Sequence, residues 1–307
     1  MKPYTDYNSY LRSKYGCKIY RIALDAGFTC PNRDGTKSTG GCIYCNDSGS
    51  RAPYVDPKIS LSLQISSRIR HLKDKRGAEK FIAYFQAFTN TYAPIDKLKA
   101  AYDAVLPFEE IVGISIGTRP DSIDAGKLKL ISSYRDRYEV WMEYGLQSSH
   151  DRTLDLLKRG HTFQEFADAV KLTQKSGILI SAHVIIGLPG ETGKDILETA
   201  ARLNELKVDG VKIHPLHVLK GSALEKTYQD KKINMLGQDE YAGLVCDFLE
   251  NLSEDIIIQR LTGQGTAVDH IAPVWALNKS ETIKSIMEMF EKRGSRQGSK
   301  IAVKAKS

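Results

Sequence analysis

The sequence predicts an α/β fold in which a mostly parallel sheet curls into a partial barrel. Six short apolar runs rich in β-branched residues alternate with amphipathic segments, which is the pattern of repeated βα units. Polar and glycine residues gather directly after these runs, where α/β barrels carry their sites. The length of 307 residues is compatible with a single α/β barrel.

The elements are predicted from the period of the apolar residues, which is two in strands and close to four in helices. Strands are expected at 19–24, 81–85, 111–116, 140–144, 178–186 and 211–214. Helices are expected between them at 60–73, 95–106, 124–133, 151–157, 162–176 and 194–206. Further along the chain we expect a helical region at 231–252, a seventh apolar run at 256–258 and a last helix at 280–292.

We expect the chain to have four parts. Residues 1–17 form a short N-terminal extension, and residues 18–230 contain the six βα units of the barrel core. Residues 231–293 add helices and a strand that complete the side of the barrel. Residues 294–307 are polar and basic, and this composition predicts a flexible tail.

Composition and charge exclude several classes of protein. Hydrophobic residues make up 41% of the chain, which excludes disorder of the whole chain. No apolar run reaches the ~20 residues of a membrane helix, and the first residues lack the apolar segment of a secretory signal, so we expect a cytoplasmic protein with no membrane partner. The net charge of +7 is compatible with a nucleic-acid partner, and equally with an enzyme that is simply basic.

A glycine-rich loop after the first predicted strand carries Cys30, Cys42 and Cys45. A structural zinc site closes its tetrahedron with four protein ligands, and an iron–sulfur cluster also normally takes four cysteines. Cys17 and Cys246 are expected to be small buried side chains rather than a fourth ligand. Three thiolates would leave one position of a metal centre open, as a catalytic metal requires.

Several motifs follow the cysteines in order along the chain. Tyr44 precedes the last cysteine, and the later segments are 114–121 (Ile-Ser-Ile-Gly-Thr-Arg-Pro-Asp), 145–148 (Gly-Leu-Gln-Ser), 159–162 (Arg-Gly-His-Thr) and 187–191 (Gly-Leu-Pro-Gly-Glu). Together they resemble the Elp3-like branch of the radical S-adenosylmethionine superfamily. The usual Cys-x3-Cys-x-aromatic-Cys motif of that superfamily is expanded here to 11 residues between the first two cysteines.

Three further segments narrow the resemblance to the YhcC/YtqA-like group. They are 30–35 (Cys-Pro-Asn-Arg-Asp-Gly), 84–92 (Tyr-Phe-Gln-Ala-Phe-Thr-Asn-Thr-Tyr) and 260–263 (Arg-Leu-Thr-Gly). This resemblance implies a partial (β/α)6 barrel of the radical SAM type. It also implies an MnmL-type enzyme that converts the tRNA wobble base 5-carboxymethylaminomethyl uridine to 5-aminomethyl uridine.

The resemblance implies two cofactors, a [4Fe–4S] cluster on the three cysteines and S-adenosylmethionine (SAM) on the open iron. Arg159 would pair with the SAM carboxylate, because a guanidinium binds a carboxylate bidentately, and Gln147 would add a polar contact. Backbone carbonyls around Gln86 would accept from the amino group. The ribose and adenine would lie among a further set of residues, namely Tyr44, Glu143, His183, Leu216 and His217.

Substrate contacts are expected from Asn90, Tyr92, Arg260 and Thr262. The expected partners are tRNA and an electron donor such as flavodoxin or ferredoxin. Two alternatives stay open at this point. One is a radical SAM enzyme acting on a small molecule or a peptide, and the other is an RNA-binding protein with a structural zinc site.

Overall fold

The computed structural model describes residues 2–263 and 268–301, and its centre is a parallel sheet. The strands are β1 (Ile19–Leu24), β2 (Lys80–Phe85), β3 (Ile111–Thr118), β4 (Glu139–Gln147), β5 (Leu179–Ile186), β6 (Gly210–Pro215), β7 (Val218–Leu219), β8 (Ile257–Arg260) and β9 (His270–Ala272). Seven of them pair in the order β1-β2-β3-β4-β5-β6-β8, all parallel. This curled sheet confirms the predicted partial barrel, with the run at 256–258 supplying a seventh strand.

Ten α-helices accompany these strands in the described part of the chain. They are α1 (Tyr7–Tyr15), α2 (Leu61–Arg76), α3 (Ile95–Asp103), α4 (Ala125–Ser132), α5 (Asp151–Leu156), α6 (Phe163–Lys175), α7 (Gly193–Leu206), α8 (Ala223–Gln229), α9 (Gln238–Glu250) and α10 (Lys279–Arg293). None of them is long and apolar enough to cross a bilayer. The region 231–252 was expected to be helical throughout, but α9 begins only at Gln238, because Gly237 and the turn before it interrupt the period.

The helices pack on the sheet through apolar stripes that join one continuous core. Ile65 of α2, Phe166 of α6 and Phe248 of α9 are fully buried with the side chains of the strands. Local capping sets where these helices begin: in α6, Thr162 accepts from the backbone of Glu165 while the Glu165 carboxylate accepts from the backbone of Thr162. Each such cap contributes about 1 kcal/mol.

The amino-terminal helix closes the end of the barrel where the strands begin. Tyr7 and Leu11 are buried there, and the Tyr7 ring meets the edge of Trp141 with centroids 5.6 Å apart. The backbone N–H of Ile258 donates to Thr5 O (2.8 Å), so the segment before α1 also pairs with the edge strand β8. The opposite end of the barrel, where the strands finish, is left for the site.

The expectation of a flexible tail from residue 294 is wrong for 294–301, which pack against the base of the barrel. Gln297 is 1% exposed. Its side chain donates to Ser253 O (2.5 Å) and Ile256 O (2.8 Å) and accepts from the backbone of Thr5 (2.9 Å). Lys300 pairs with Glu250 at 2.5 Å. Composition predicted mobility because these partners lie far away in sequence; residues 302–307 lie outside the described residues.

Candidate active site at the strand ends

The three cysteines lie in the long loop that follows β1. Cys42 is buried, and Cys30 and Cys45 are half-buried. Asn32 organises this loop: its Nδ2 donates to the backbone oxygens of Lys158 and Arg159 (2.9 Å each) and approaches Cys42 Sγ at 3.5 Å. The cysteine loop is therefore fixed to the segment that follows α5.

Arg159 is the side chain that links the cysteine loop to the barrel. It is 6% exposed and donates from one nitrogen to Cys42 Sγ (3.2 Å) and Tyr44 Oη (3.1 Å). Its other terminal nitrogen donates to the carbonyl of Gly145 (2.6 Å), near the end of β4. The predicted site residues Tyr44 and Arg159 are thus brought together beside a cysteine.

The thiols influence one another and respond to this guanidinium. Burial works to raise the pKa of Cys42, but Arg159 and then Arg119 hold it below its ordinary value. Burial, and next the charge of Cys42, raise the pKa of Cys45 to about 12, with Cys30 adding to the increase. Cys45 therefore lies close enough to both other cysteines to interact with them electrostatically, and the positive charge beside Cys42 favours the thiolate form that binds metals at that position.

A second group of charges ties the end of β3 to the same loop. Arg119 pairs bidentately with Asp121 (2.9 and 2.8 Å), and Lys37 of the cysteine loop reaches both Asp121 (2.5 Å) and Gly160 O (2.7 Å). Gly160 has φ +64°, and a Cβ there would lie 2.9 Å from Asn32 Oδ1. The close approach of the two loops therefore requires glycine at this position.

Several buried polar atoms at this end of the barrel have no hydrogen-bond partner among residues 2–263 and 268–301. They include Gln147 Oε1, Arg159 Nε, Arg119 Nη1 and Asn32 Oδ1. Gln147 is itself held at φ +77° in the turn that ends β4. Unpaired buried polar groups are costly, so a polar ligand that contacts them would stabilise the site.

Glu143 lies on β4 two residues before Gly145, inside the barrel, and is completely buried. Arg21 lies 2.8 Å from its Oε1, while Lys212 and His183 (2.9 Å) donate to its Oε2. Burial opposes ionisation, yet Arg21 and Lys212 hold the pKa of Glu143 well below its usual range. Glu143 and His183, both predicted cofactor contacts, are thus partners of each other, and their contact with a ribose stays a prediction.

The remaining predicted residues are spread around the mouth of the barrel. Gln86 donates to Ser50 O (2.6 Å), and Leu216 packs in an apolar cluster beside Tyr44. His217 stacks edge-on against His270 at 4.8 Å. Asn90 is fully buried and donates to two backbone carbonyls, so the structure places it in the interior rather than on an open surface.

Three predicted substrate residues lie on different parts of the chain. Tyr92 hydrogen-bonds Thr36 Oγ1 at 2.8 Å, at the cysteine loop. Arg260 ends β8, and Thr262 beyond it is 1% exposed. Their contact with a substrate stays a prediction.

Sequence reasoning missed the residues that hold the site together, above all Asn32, Arg119 and Lys212. For Asn32 the signal was its place inside the 30–35 motif. For Lys212 and Arg21 it was a cation inside an otherwise apolar strand, since buried charges are rare unless they are paired. Arg119 lay inside the 114–121 motif but carried no role there.

The donors present fit an iron–sulfur cluster held by three cysteines. Three irons of such a cluster would each take a separate thiolate. Cys45 interacts with both Cys30 and Cys42, and a guanidinium contacts Cys42, so the three thiols can supply that donor set. Gln147 Oε1 and Arg159 Nε, which are buried and have no hydrogen-bond partner in the described residues, supply one acceptor and one donor at the same end of the barrel. In the described residues, no group of three or more His, Cys, Asp or Glu side chains is placed to hold a single metal ion.

The comparison with known families identifies the class of protein. The radical SAM superfamily matches residues 33–203, and the radical SAM C-terminal domain matches residues 208–292. The chain therefore belongs to the radical SAM superfamily, as the three cysteines and the motif order indicated. The second match covers strand β6 and the elements after it, including β8, α9 and most of α10.

Full-length relatives place the chain within the superfamily. It is 42% identical to the YtqA protein of Bacillus subtilis over 97% of this chain and 92% of the relative. It is 35% identical to the YhcC protein of Escherichia coli over 88% and 86%. The predicted YhcC/YtqA-like relationship is confirmed.

A partial relative and a solved structure extend the comparison. A tRNA uridine(34) acetyltransferase of Dehalococcoides mccartyi is 27% identical over 44% of this chain and 30% of its own length. The archaeal Elp3 of Methanocaldococcus infernus has the same fold, with a TM-score of 0.68 at 21% identity over 91% of this chain. This chain spans 64% of that Elp3 chain.

Proposed function

We propose that this protein is a radical SAM enzyme that modifies tRNA at the wobble uridine, converting 5-carboxymethylaminomethyl uridine to 5-aminomethyl uridine. Membership of the superfamily implies an enzyme. The wobble position is suggested by the partial relative whose name specifies uridine 34 of tRNA. The net charge of +7 suits a polyanionic substrate.

The observation that carries the radical SAM part is the contact of Arg159 with Cys42 Sγ, Tyr44 and Gly145 O. When bound, a [4Fe–4S] cluster would supply the electron for reductive cleavage of SAM, the source of the 5′-deoxyadenosyl radical that abstracts hydrogen from a substrate. Cys30, Cys42 and Cys45 would hold the cluster.

The chain's own side chains would then hold SAM and exclude water. Arg159 Nε would donate to the SAM carboxylate and Gln147 Oε1 would accept from its amino group, since both atoms are buried without a partner in the described residues. Gln86 lies at the end of β2, beside the cysteine loop, where its backbone would add an acceptor. Leu216 and Tyr44 belong to one apolar cluster, which would cover the adenine and keep the reacting centre dry.

The first experiment tests the radical chemistry without assuming a substrate. The protein is purified without oxygen, reconstituted with iron and sulfide, and mixed with SAM and dithionite, and 5′-deoxyadenosine is measured by mass spectrometry. We expect it from the wild type and from Cys17→Ala, a control cysteine at the other end of the barrel. We expect none from Cys42→Ala. Equal cleavage by Cys42→Ala would contradict the assignment.

The second experiment tests the substrate. Bulk tRNA from cells that lack the protein is incubated with the reconstituted enzyme, and wobble nucleosides are analysed. We expect the 5-carboxymethylaminomethyl nucleoside to decrease and the 5-aminomethyl nucleoside to increase by the same amount. Cleavage of SAM with no change in any tRNA nucleoside would favour a small-molecule or peptide substrate instead.

A further inference from the structure

The inside of the barrel holds more positive charge than its own carboxylate neutralises. Glu143 is the buried acid, and it is already shared by Arg21, Lys212 and His183. Arg260 stands beside them, because β8 pairs with β6 so that Arg260 lies opposite Lys212. Arg21 and Arg260 remain cationic at any physiological pH, so a positive charge is left over even if Lys212 were neutral.

Within this group of charges, Arg260 is the cation that has no carboxylate partner in the described residues. Its Nε donates weakly to Ile213 O (3.4 Å), and it forms no ion pair with any acid in residues 2–263 or 268–301. The residues outside these ranges contain no Asp or Glu. Arg260 is half-buried, and a guanidinium that is partly removed from water without a counter-ion is unfavourable, so a bound anion would stabilise this arrangement.

The surroundings of Arg260 are polar, and Gly263 leaves space beside its guanidinium that a larger residue would fill. A Cβ on Gly263 would lie 3.2 Å from the Cβ of His214, 3.5 Å from a ring carbon of His217 and 3.8 Å from the Arg260 guanidinium carbon. The Nε2 atom of His217 is buried with no partner among the described residues. The Lys212 ammonium uses two of its three donors, on Glu143 and on Tyr84 Oη (3.2 Å).

We infer that Arg260, with Lys212 beside it, binds a carboxylate carried by the substrate. This inference rests on the proposed function and names the group by which that substrate is recognised. A guanidinium fork pairs with both oxygens of a carboxylate. Lys212 lies three residues before the end of β6, which is about 10 Å below the mouth at ~3.3 Å per residue. A carboxylate at the end of a flexible arm reaches that depth, whereas a backbone phosphate is held back by its two flanking riboses.

The test compares two anticodon stem-loop RNAs that differ only in this group. One carries 5-carboxymethylaminomethyl uridine at the wobble position and the other carries 5-aminomethyl uridine. Binding is measured with the cluster-loaded enzyme and SAM, without a reductant, so that no turnover occurs. We expect the wild type to prefer the carboxylate RNA by about tenfold, the preference that one charge-assisted pair supplies.

Three variants test whether Arg260 is the residue responsible for that preference. Arg260→Gln is expected to reduce the preference to within about twofold, because it removes the contact to the carboxylate. Arg260→Lys is expected to keep an intermediate preference, because it retains the charge but not the fork. Arg12→Gln removes one equally positive but exposed side chain on α1 and is expected to behave as the wild type. Full preference in Arg260→Gln, or equal binding of both RNAs by the wild type, would overturn the inference.

A second measurement keeps the inference testable if neither RNA binds, a result that would count against the proposed function alone. The Tm of the protein is measured in sodium acetate, sodium phosphate and sodium chloride at matched ionic strength. We expect acetate to raise the Tm of the wild type above its value in chloride, and to have no such effect on Arg260→Gln. A shift with phosphate only would assign the site to a phosphate, and no shift with either anion would refute a carboxylate site.

Discussion

Replacing Glu143 by Gln should destabilise the protein more than the same change at Glu139, the other buried acid of β4. The substitution keeps the shape of the side chain but leaves Arg21 and Lys212 without their common counter-ion inside the barrel. Removing one member of a buried ion pair typically costs about 3–5 kcal/mol. For a chain of this size that corresponds to a fall in Tm of roughly 10 °C.

Glu139→Gln is the matched control, because Glu139 belongs to the same strand and is also buried. Its cation is Lys14 (2.6 Å), whose side chain is 47% exposed and can return to water when the carboxylate is lost. Tyr10 and Trp141 also donate to Glu139. The oxygen of Gln can still accept from Trp141, and its amide nitrogen can donate to the Tyr10 hydroxyl instead. We therefore expect a loss of only about 1–2 kcal/mol.

The assay is urea unfolding at pH 7.5, followed by circular dichroism, for both variants and for a double variant. Adding Lys212→Met to Glu143→Gln removes one of the stranded cations and should restore at least about 1 kcal/mol. The reasoning is refuted if Glu143→Gln costs no more than Glu139→Gln. It is also refuted if the second substitution makes the protein still less stable.

Three further predictions concern the loops, the histidines and the carboxyl-terminal segment. Gly160→Ala should cost about 1–3 kcal/mol through its positive φ and lower the iron content after reconstitution. Gly193→Ala at the start of α7 should do neither, because its Cβ would make only an ordinary contact with Leu244 at 3.8 Å. Burial lowers the pKa of His183 to about 4 and that of His217 to about 3, so below pH 6.5 the unfolded chain binds more protons than the folded protein. The free energy of unfolding should therefore fall from pH 6.5 to pH 5 by up to about 1.4 kcal/mol per pH unit for each histidine. His183→Gln should reduce this slope, measured by urea unfolding at several pH values, by about one proton, and an unchanged slope would contradict the assignment. Gln297→Ala leaves a buried N–H and two carbonyls unpaired and should lower the free energy of unfolding by about 1–3 kcal/mol. We expect faster proteolysis of residues 294–301. A proteolysis pattern like that of the wild type would show that this segment is held by other contacts.

The barrel strands were predictable because their signals are local. The run 19–24 coincides with β1, and the other five predicted strands differ from the observed ones by at most three residues at either end. Each is a short apolar run ended by glycine or polar residues, and parallel order brings those ends to one side of the sheet. The proximity of the cysteine loop to Arg159 followed from this rule and from the recognised motif order.

The interior charges and the docked segment at 294–301 could not be predicted in the same way. Arg21, Glu143 and Lys212 come together only when three strands are placed around the barrel, and no spacing in the sequence marks them as partners. Gln297 stands in a basic, glycine-containing stretch typical of a mobile end. Its partners at Thr5, Ser253 and Ile256 are visible only in the folded chain.

The pairing of Thr5 with Gln297 has a consequence for the order of folding. These residues are separated by 292 positions, and closing so long a loop carries an entropic cost that is recovered only when the rest of the fold has formed. During synthesis, Tyr7 and Leu11 emerge first, but the β8 backbone and the Gln297 amide that fix their segment emerge last. The base of the barrel is therefore the last part of the fold to close. Until then its apolar residues form an exposed surface to which chaperones can bind.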